Sequence, residues 1–438
     1  MVEDIQRTPE FDRALKMLEE TREHVFITGR AGTGKSTLLR YFLGKTAQKV
    51  AVLAPTGIAA LNVEGQTIHS FFQLPPRLLE KADLRPLGKQ RRILETLETL
   101  IIDEISMVRA DVLEAVDHSL RINRDMSGVP FGGVRMVFIG DLNQLPPVLR
   151  NEDRDVFANV YDSPYFFSSP AFKSIEPAFI ELTVNFRQSH DPEFFHLLSR
   201  IGNHAFTRDD LERINERLLT DDVTLDPNEE RITLTATNQD AHTVNQRRLS
   251  ALSGAATEYK AIVEGEFDEK AFPTDYALSV KAGAQVMMLR NDSEKRWVNG
   301  DIGVVTQCNA EGLKVRIHET EHNVARASWE KYRYTYNLIE GRIDKQVVGS
   351  FEHYPLRLAW AITIHKSQGK TLKNVLVDIG SGGFAHGQVY VALSRCPRIE
   401  DLRLKRAIRA TDIIFDETVK EFKNRVGAGH RPPTMRNI

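Results

Sequence analysis

Short, nearly continuous apolar runs alternate along the chain with stretches whose apolar residues recur every three or four positions. The alternation predicts strands buried on both faces with amphipathic helices packed over them, the layout of a parallel α/β fold. Pro9 to Glu20 carries Phe11, Leu15 and Leu18 at helical spacing. Val25 to Thr28 reads as a buried strand and Ser36 to Arg40 as the opening of a helix. Val50 to Leu53, Leu100 to Ile102 and the apolar part of Val134 to Val148 read as further strands, and Ile58 to Leu61 as a helix. This first unit is expected to cover 1–177, ending near Lys173 to Pro177. Glu181 to Gln188 is expected to open a second unit. There Ile232 to Thr237 is a strand, and Asn238 to Leu249 a helix capped by its own Asn.

From Val298 to Ile317 the apolar period drops to two, and Asn299-Gly300 supplies a hairpin signal. Residues 298–350 are therefore predicted to form a small β-barrel inserted into a second α/β unit of 178–297 and 351–438. Trp297, Trp329, Tyr332, Tyr334 and Tyr336 lie in or beside it, most of them as core or cross-strand partners. The α/β pattern resumes with Leu358 to Leu372, the strand Asn374 to Asp378 and a helix-like segment, Tyr390 to Cys396. Asp412 to Arg425 reads as an amphipathic helix, and the end, GAGHRPPTMRNI, as mobile.

Composition narrows the class. The 438 residues exceed one ordinary core. Hydrophobic content of 41% with 27% charged residues fits a soluble globular chain. There is no apolar run of membrane-spanning length, and the polar N-terminus is unlike a targeting signal, so a cytoplasmic location is expected. Cys308 and Cys396, the only two cysteines, are far apart in sequence and lack partners at zinc-finger spacing. Neither a disulfide framework nor zinc is expected. The net charge of −2 means that any nucleic-acid site is a local basic channel.

The candidate chemistry sits at strand ends. Gly29 to Ser36 has the spacing G-x-x-x-x-G-K-S, a loop that wraps phosphates in backbone N–H groups. Gly29, Ala31, Gly32, Thr33, Gly34, Lys35, Ser36 and Thr37 are the expected nucleotide contacts. Lys35 can reach the outer phosphates and Ser36 can ligate Mg²⁺. Asp103 closes the strand Leu100 to Ile102 and can hold the same metal, while Glu104 can deprotonate a water. Gln144 suits sensing of a γ-phosphate, on a loop stiffened by Pro146-Pro147. Pro55, Thr56 and Gly57 turn at another strand end, where ligands of open α/β sheets gather. In Gly65 to Pro76, Thr67, His69 and Ser70 offer hydrogen bonds. Phe71 and Phe72 in that loop read either as a stacking surface or wedge, or as core. Arg187 lies among apolar residues, an odd place for an unpaired structural Arg.

The motifs in order, GRAGTGKST, APTGIAA, GQTIHSFF, IIDEIS, GDLNQLPPV, LTVNFRQ, AITIHKSQGKTL and YVALSR, resemble those of superfamily-one helicases. The resemblance is to the petite-integration-frequency (Pif) family above all. The segment from Leu113 to Val134, ending in PFGGV, is similar to that family's signature. The resemblance implies two RecA-like doubly wound parallel-sheet domains of α/β class, with a wedge insertion at about 64–90 in the first. It also implies that the inserted barrel is SH3-like. ATP and Mg²⁺ would lie between the domains, with Lys35 and Ser36 on the phosphates and metal, Asp103 on the metal and Glu104 on the water. Gln144 would sense the γ-phosphate, Gly369 would join the nucleotide site, and Arg187 and Arg395 would act as arginine fingers. Thr56, His69, Thr363, His365 and Ser367 would line a single-strand channel, with Asn238 and Lys366 beside them.

The resemblance further implies 5′→3′ travel and unwinding of duplex DNA, with G-quadruplexes or RNA–DNA hybrids as further substrates. A monomer is expected, with a dimer on DNA as the alternative. One departure is that relatives place an adenine-reading Gln upstream of the phosphate loop, where this chain has Phe11-Asp12 and, earlier, only Gln6. The short N-terminus suggests a minimal bacterial or phage-like form acting at the nucleoid. A small-molecule kinase would not need Arg187, TIHKSQG and Arg395. A plain binding module would not need Asp103-Glu104 beside Lys35, and a nuclease would need further carboxylate clusters. A translocase that does not unwind is the rival that sequence leaves standing.

Overall fold

Six strands pair side by side, all in parallel, in the computed structural model. It describes residues 6–79, 83–219, 231–337, 339–383 and 385–428. The strands are β1 (Val25–Gly29), β2 (Val50–Ala54), β3 (Gln66–Thr67), β4 (Thr99–Ile102), β5 (Arg135–Gly140) and β6 (Ala178–Leu182). Their order is β3-β2-β4-β5-β1-β6, and every neighbouring pair is parallel. The continuous apolar runs follow from this sheet having two covered faces. Val25, Ile27, Ile101, Val137 and Ile139 face the helices Pro9–Glu20 and Lys35–Leu43, where Leu15, Leu18, Leu38 and Phe42 meet them. Phe26, Leu100, Ile102, Met136 and Phe138 face the other way, toward Leu113, Val116 and Leu120 of Ala110–Asn123. Arg135 at the start of β5 is 3% exposed. Its guanidinium donates to the carbonyls of Met17, Leu18 and Glu23, closing the C-terminal end of the first helix.

The chain divides into two units. The first takes the described residues of Met1–Phe186, Lys331–Val348 and Asp416–Ile438; the second takes those of Arg187–Glu330 and Gly349–Phe415. This differs from the sequence reading in three places. Ala178–Leu182 pairs with β1 along its length, so the segment expected to open the second unit completes the first sheet. Residues 331–348, read as part of the inserted barrel, belong to the first unit: the Tyr334 hydroxyl accepts the Val52 N–H at 2.8 Å. The C-terminal helix, Glu417–Ala428, also belongs there, because Phe422 stacks on Phe167 with ring centres 4.3 Å apart. The terminal stretch read as mobile lies, from 429 onward, outside the described residues.

In the second unit, Ala361–Thr363, Ile232–Thr235, Val375–Asp378 and Leu402–Leu404 form a four-stranded parallel sheet in that order. The helix Asn238–Ala251 follows, capped by Thr237 through the Asp240 N–H rather than by Asn238. An antiparallel five-stranded sheet joins Thr320–Val324, Gly312–Ile317, Ile302–Asn309, Gln285–Met288 and Leu356–Leu358. It covers Trp297, Val305, Val315 and Ile317. These strands reach beyond the expected bounds of 298–350 on both sides. The Asn299-Gly300 hairpin signal also fails: Ile302–Asn309 pairs back with Gln285–Met288 across a longer loop. The tight turn is at Asn309–Gly312, where those two residues face each other and Asn309 Oδ1 accepts the N–H groups of Glu311 and Gly312. No helix among the described residues is long and apolar enough to cross a membrane.

Candidate active site

β1 delivers the chain into the phosphate loop, and the loop allows no side chain at its start. A Cβ on Gly29 would lie 2.5 Å from Thr33 Oγ1 and 2.7 Å from the Leu182 carbonyl. Gly34 adopts φ 88°, ψ 12° as the N-cap of Lys35–Leu43 and offers no side-chain cap. The first N–H groups of that helix therefore point into the loop with the positive end of its dipole. Lys35 Nζ donates to the carbonyls of Gly29 (2.6 Å) and Arg30 (3.0 Å). Two residues that sequence reading missed brace the loop from outside. The Asn185 side-chain amide donates to the Ala31 carbonyl at 2.7 Å, and the Phe186 N–H to that of Gly32 at 2.9 Å. Their adjacency to Arg187 in the NFRQ motif is the signal that could have found them.

Asp103 closes β4, 8% exposed, with its N–H bonded to the Leu53 carbonyl of neighbouring β2. Burial pushes its carboxyl pKa up; the Glu104 N–H, donating to Oδ1 at 2.9 Å, and the charge of Lys35 oppose the rise. Any further cation here favours the carboxylate. Glu104 itself takes φ 51°, ψ 43°, a left-handed position that non-glycine residues seldom occupy. β5 approaches the turn after it so closely that a Cβ on Gly140 would stand 2.9 Å from Ile105 Cγ2. Gln144, 5% exposed, donates from Nε2 to Asp141 Oδ2 at 2.9 Å.

These residues fit a nucleoside triphosphate with Mg²⁺. An uncapped helix start and a lysine sit on the phosphate side, and one carboxylate and one hydroxyl are available for the metal. No group of three or more His, Cys, Asp or Glu among the described residues could hold a metal. Mg²⁺ needs none, since it usually binds through one or two carboxylates plus substrate phosphates.

In the second unit Arg187 and Arg395 come together. Arg187 donates to the carbonyls of Ser394 and Gly369, each at 3.2 Å, and burial pushes its pKa down. Arg395 is fully buried. It donates to the carbonyls of Val391, Ser367 and Lys370 and to Ser394 Oγ. Gln188 adds bonds to the carbonyls of Ser394 and Cys396. Gly369 stands between them at φ 79°, with nothing within 4 Å of where a Cβ would be.

The expected DNA contacts separate into exposed and buried sets. Pro55-Thr56-Gly57 follows β2 and Thr67 closes β3, at the same end of two paired strands. Thr56 is exposed and caps Gly57–Asn62; Thr67 caps Ile68–Phe71 through the Ser70 N–H. His69 is half-buried, its pKa lowered by burial and then by Arg109. Ser70 Oγ accepts from Gln66. Phe71 and Phe72 are each 2% exposed, with their rings 4.9 Å apart and Phe71 edge-on to Tyr334. The wedge reading of these two aromatics is thus overturned in favour of core packing. In the second unit Thr363 and Thr235 face each other at the ends of paired strands, and exposed Asn238 opens the helix after Ile232–Thr235. Lys366 is exposed, and burial lowers the pKa of His365. Ser367 is fully buried with its hydroxyl donating to the Ile364 carbonyl, and Thr363 Oγ1 accepts the Lys366 N–H. The Ser367 hydroxyl thus spends its proton inside the fold, whereas that of Thr363 accepts one N–H and keeps its own proton to donate.

The sequence matches the family model described as PIF1-like helicase over residues 8–209. It is 35% identical to the ATP-dependent DNA helicase Pif1 of Bdellovibrio bacteriovorus over 434 residues, covering 96% of this chain and 92% of that protein. It spans 58% to 62% of the length of the human, mouse, rat and Emericella nidulans helicases that it resembles. The fold is similar to that of Bacteroides sp Pif1 in complex with ADP-AlF4, with a TM-score of 0.90, 35% identity and 98% of both chains covered. It is similar also to Bacteroides Pif1 bound to ssDNA, with a TM-score of 0.70, 36% identity and 97% and 98% covered.

Proposed function

The chain belongs to the PIF1-like helicase family, and from that premise we propose that it is an ATP-dependent DNA helicase. It moves 5′→3′ on single-stranded DNA and unwinds duplex ahead of it, with G-quadruplexes and RNA–DNA hybrids as further substrates. It works as a monomer at the nucleoid. The observation that carries this reading is the pairing of Arg187 with Arg395 around Gly369 and Ser394. A kinase or a binding module has no use for two converging arginines in a unit that lacks the phosphate loop.

ATP binds with its phosphates in the Gly29–Ser36 loop, where Lys35 exchanges two carbonyls for phosphate oxygens. Ser36 and Asp103 would hold Mg²⁺, which would supply neutralisation of charge on the phosphates. Glu104 takes a proton from the attacking water, and Gln144 orients that water against the γ-phosphate. Arg187 stabilises charge on the phosphoryl group in flight, and Arg395 does so by exchanging its bonds to the carbonyls of Ser367 and Lys370 for phosphate oxygens, an effect of about 10³–10⁵ in rate in other NTPases. Closure on ATP and release after hydrolysis alternate the grips of the two units on DNA. Thr56, Thr67, His69, Asn238, His365 and Lys366 contact the strand without regard to sequence, mostly through its backbone.

The test is ATP hydrolysis with and without single-stranded DNA. Wild-type turnover rises sharply with DNA, and Lys35→Ala abolishes it while some DNA binding persists. Turnover indifferent to DNA would remove the motor reading.

A further inference from the structure

The helix Glu417–Ala428 carries none of the motifs above, yet one of its side chains reaches the GDLNQ loop, 280 residues away. Phe422, 3% exposed, meets Phe26, Phe166 and Phe172 besides Phe167. That aromatic anchor seats the helix beside β1. Lys423, the next residue, donates from Nζ to Asn143 Oδ1. Burial pushes its pKa down, and so does Arg30 of the phosphate loop; the carboxylates of Asp141 and Glu181 oppose this.

Asp141 is the hub of the loop. Its Oδ1 accepts the Asn143 N–H at 3.0 Å, its Oδ2 accepts Gln144 Nε2 at 2.9 Å, and its carbonyl accepts the Gln144 N–H at 3.0 Å. The direction of the Gln144 side chain is thus set by a carboxylate beside an ammonium from the C-terminal helix. Holding an ammonium partly out of water is costly unless its partners repay it. For packing beside Phe422 alone, an uncharged side chain would suffice.

We propose that Lys423 is a positioning residue for ATP hydrolysis, fixing the Asp141–Gln144 loop so that Gln144 is aimed at the γ-phosphate. The proposal rests on the ATPase reading above, and it makes the C-terminal helix part of the nucleotide machinery.

The experiment measures DNA-stimulated kcat and KM for ATP in Lys423→Met, Lys423→Arg, Gln144→Ala and the Gln144→Ala/Lys423→Met double variant. Lys423→Met is expected to lower kcat about tenfold with KM within about twofold, the signature of a contact that matters only in the transition state. Lys423→Arg is expected to recover most of the loss. In the Gln144→Ala background Lys423→Met is expected to cost nothing more, because it acts through Gln144. Wild-type kcat in Lys423→Met would overturn the proposal. So would an equal loss in both backgrounds, the result of mere destabilisation. Absence of hydrolysis in the wild type would instead overturn the ATPase reading.

Discussion

Glu104 is held in a left-handed backbone conformation, which costs about 1–3 kcal/mol for a non-glycine residue. The strain sits on the side chain proposed to activate water, one residue past the metal carboxylate. Glu104→Gln keeps shape and removes the base. It is expected to bind ATP with near-normal affinity, cut single-turnover hydrolysis at least about 100-fold, and stay locked on DNA. Wild-type turnover would discredit Glu104 as the base. Lys35, Asp103, Glu104 and Gln144 could be singled out in the sequence because the chemistry proposed for them demands a particular residue at a strand end. Lys423 could not, since its partner lies 280 residues away and nothing local marks it; Asn185, whose partner lies 154 residues away, is marked only by its place beside Arg187. Phe71 and Phe72 were ambiguous because polar neighbours say nothing of which way a ring points. With both buried, Phe72→Ala is expected to cost about 3–5 kcal/mol of stability, read as a fall in the melting temperature, instead of a selective loss of unwinding. Loss of unwinding at an unchanged melting temperature would restore the wedge.

At the level of elements, the PFGGV segment has a structural account. Phe131 is fully buried at φ 51°, and a Cβ on Gly132, at φ 55°, would sit 2.8 Å from the Leu120 carbonyl. Asp117 accepts the Phe131 N–H and pairs with Arg121. The signature thus clamps a left-handed turn onto the helix Ala110–Asn123. Gly132→Ala meets both a positive φ and a backbone oxygen, so it is expected to cost about 2 kcal/mol or more. Denaturant unfolding monitors this; a variant as stable as wild type would contradict the clamp. In the parallel sheets β1, β2, β4, β5, Ile232–Thr235 and Val375–Asp378 were readable because burial on two faces leaves an unbroken apolar run; β3, β6, Ala361–Thr363 and Leu402–Leu404 were not read as strands. The antiparallel region was less so. Asn299-Gly300 scores as a hairpin by its local preference for positive φ, yet the register is set by cross-strand packing of Val286, Val305 and Val315.

Across the whole molecule, stability should depend on pH through His353, which is fully buried in the second unit. Burial first, and then the charge of Arg326, lower its pKa to about 4 against the opposing charge of Asp275. The folded pKa lies below the unfolded value near 6.5, so the unfolded chain binds the extra proton first. Stability is therefore full above about pH 6.5 and is lost as pH falls toward about 4, by up to about 3 kcal/mol. Unfolding followed from pH 7 to 4 checks this, and His353→Phe should flatten that part of the curve. A curve unchanged by the substitution would remove His353 as its source.

The domain bounds were the least readable feature. The segments 331–348 and 416–428 join the first unit through Tyr334 and Phe422, contacts that no local pattern announces. Every role proposed for the site residues depends on ATP hydrolysis driving directional strand separation. The measurement that meets this most directly is strand displacement on duplexes carrying a single-stranded tail at either the 5′ or the 3′ end, with ATP and Mg²⁺. The expected result is rapid displacement of the 5′-tailed duplex, little of the 3′-tailed one, and none with Lys35→Ala. Equal displacement of both, or displacement that persists without ATP, would contradict it.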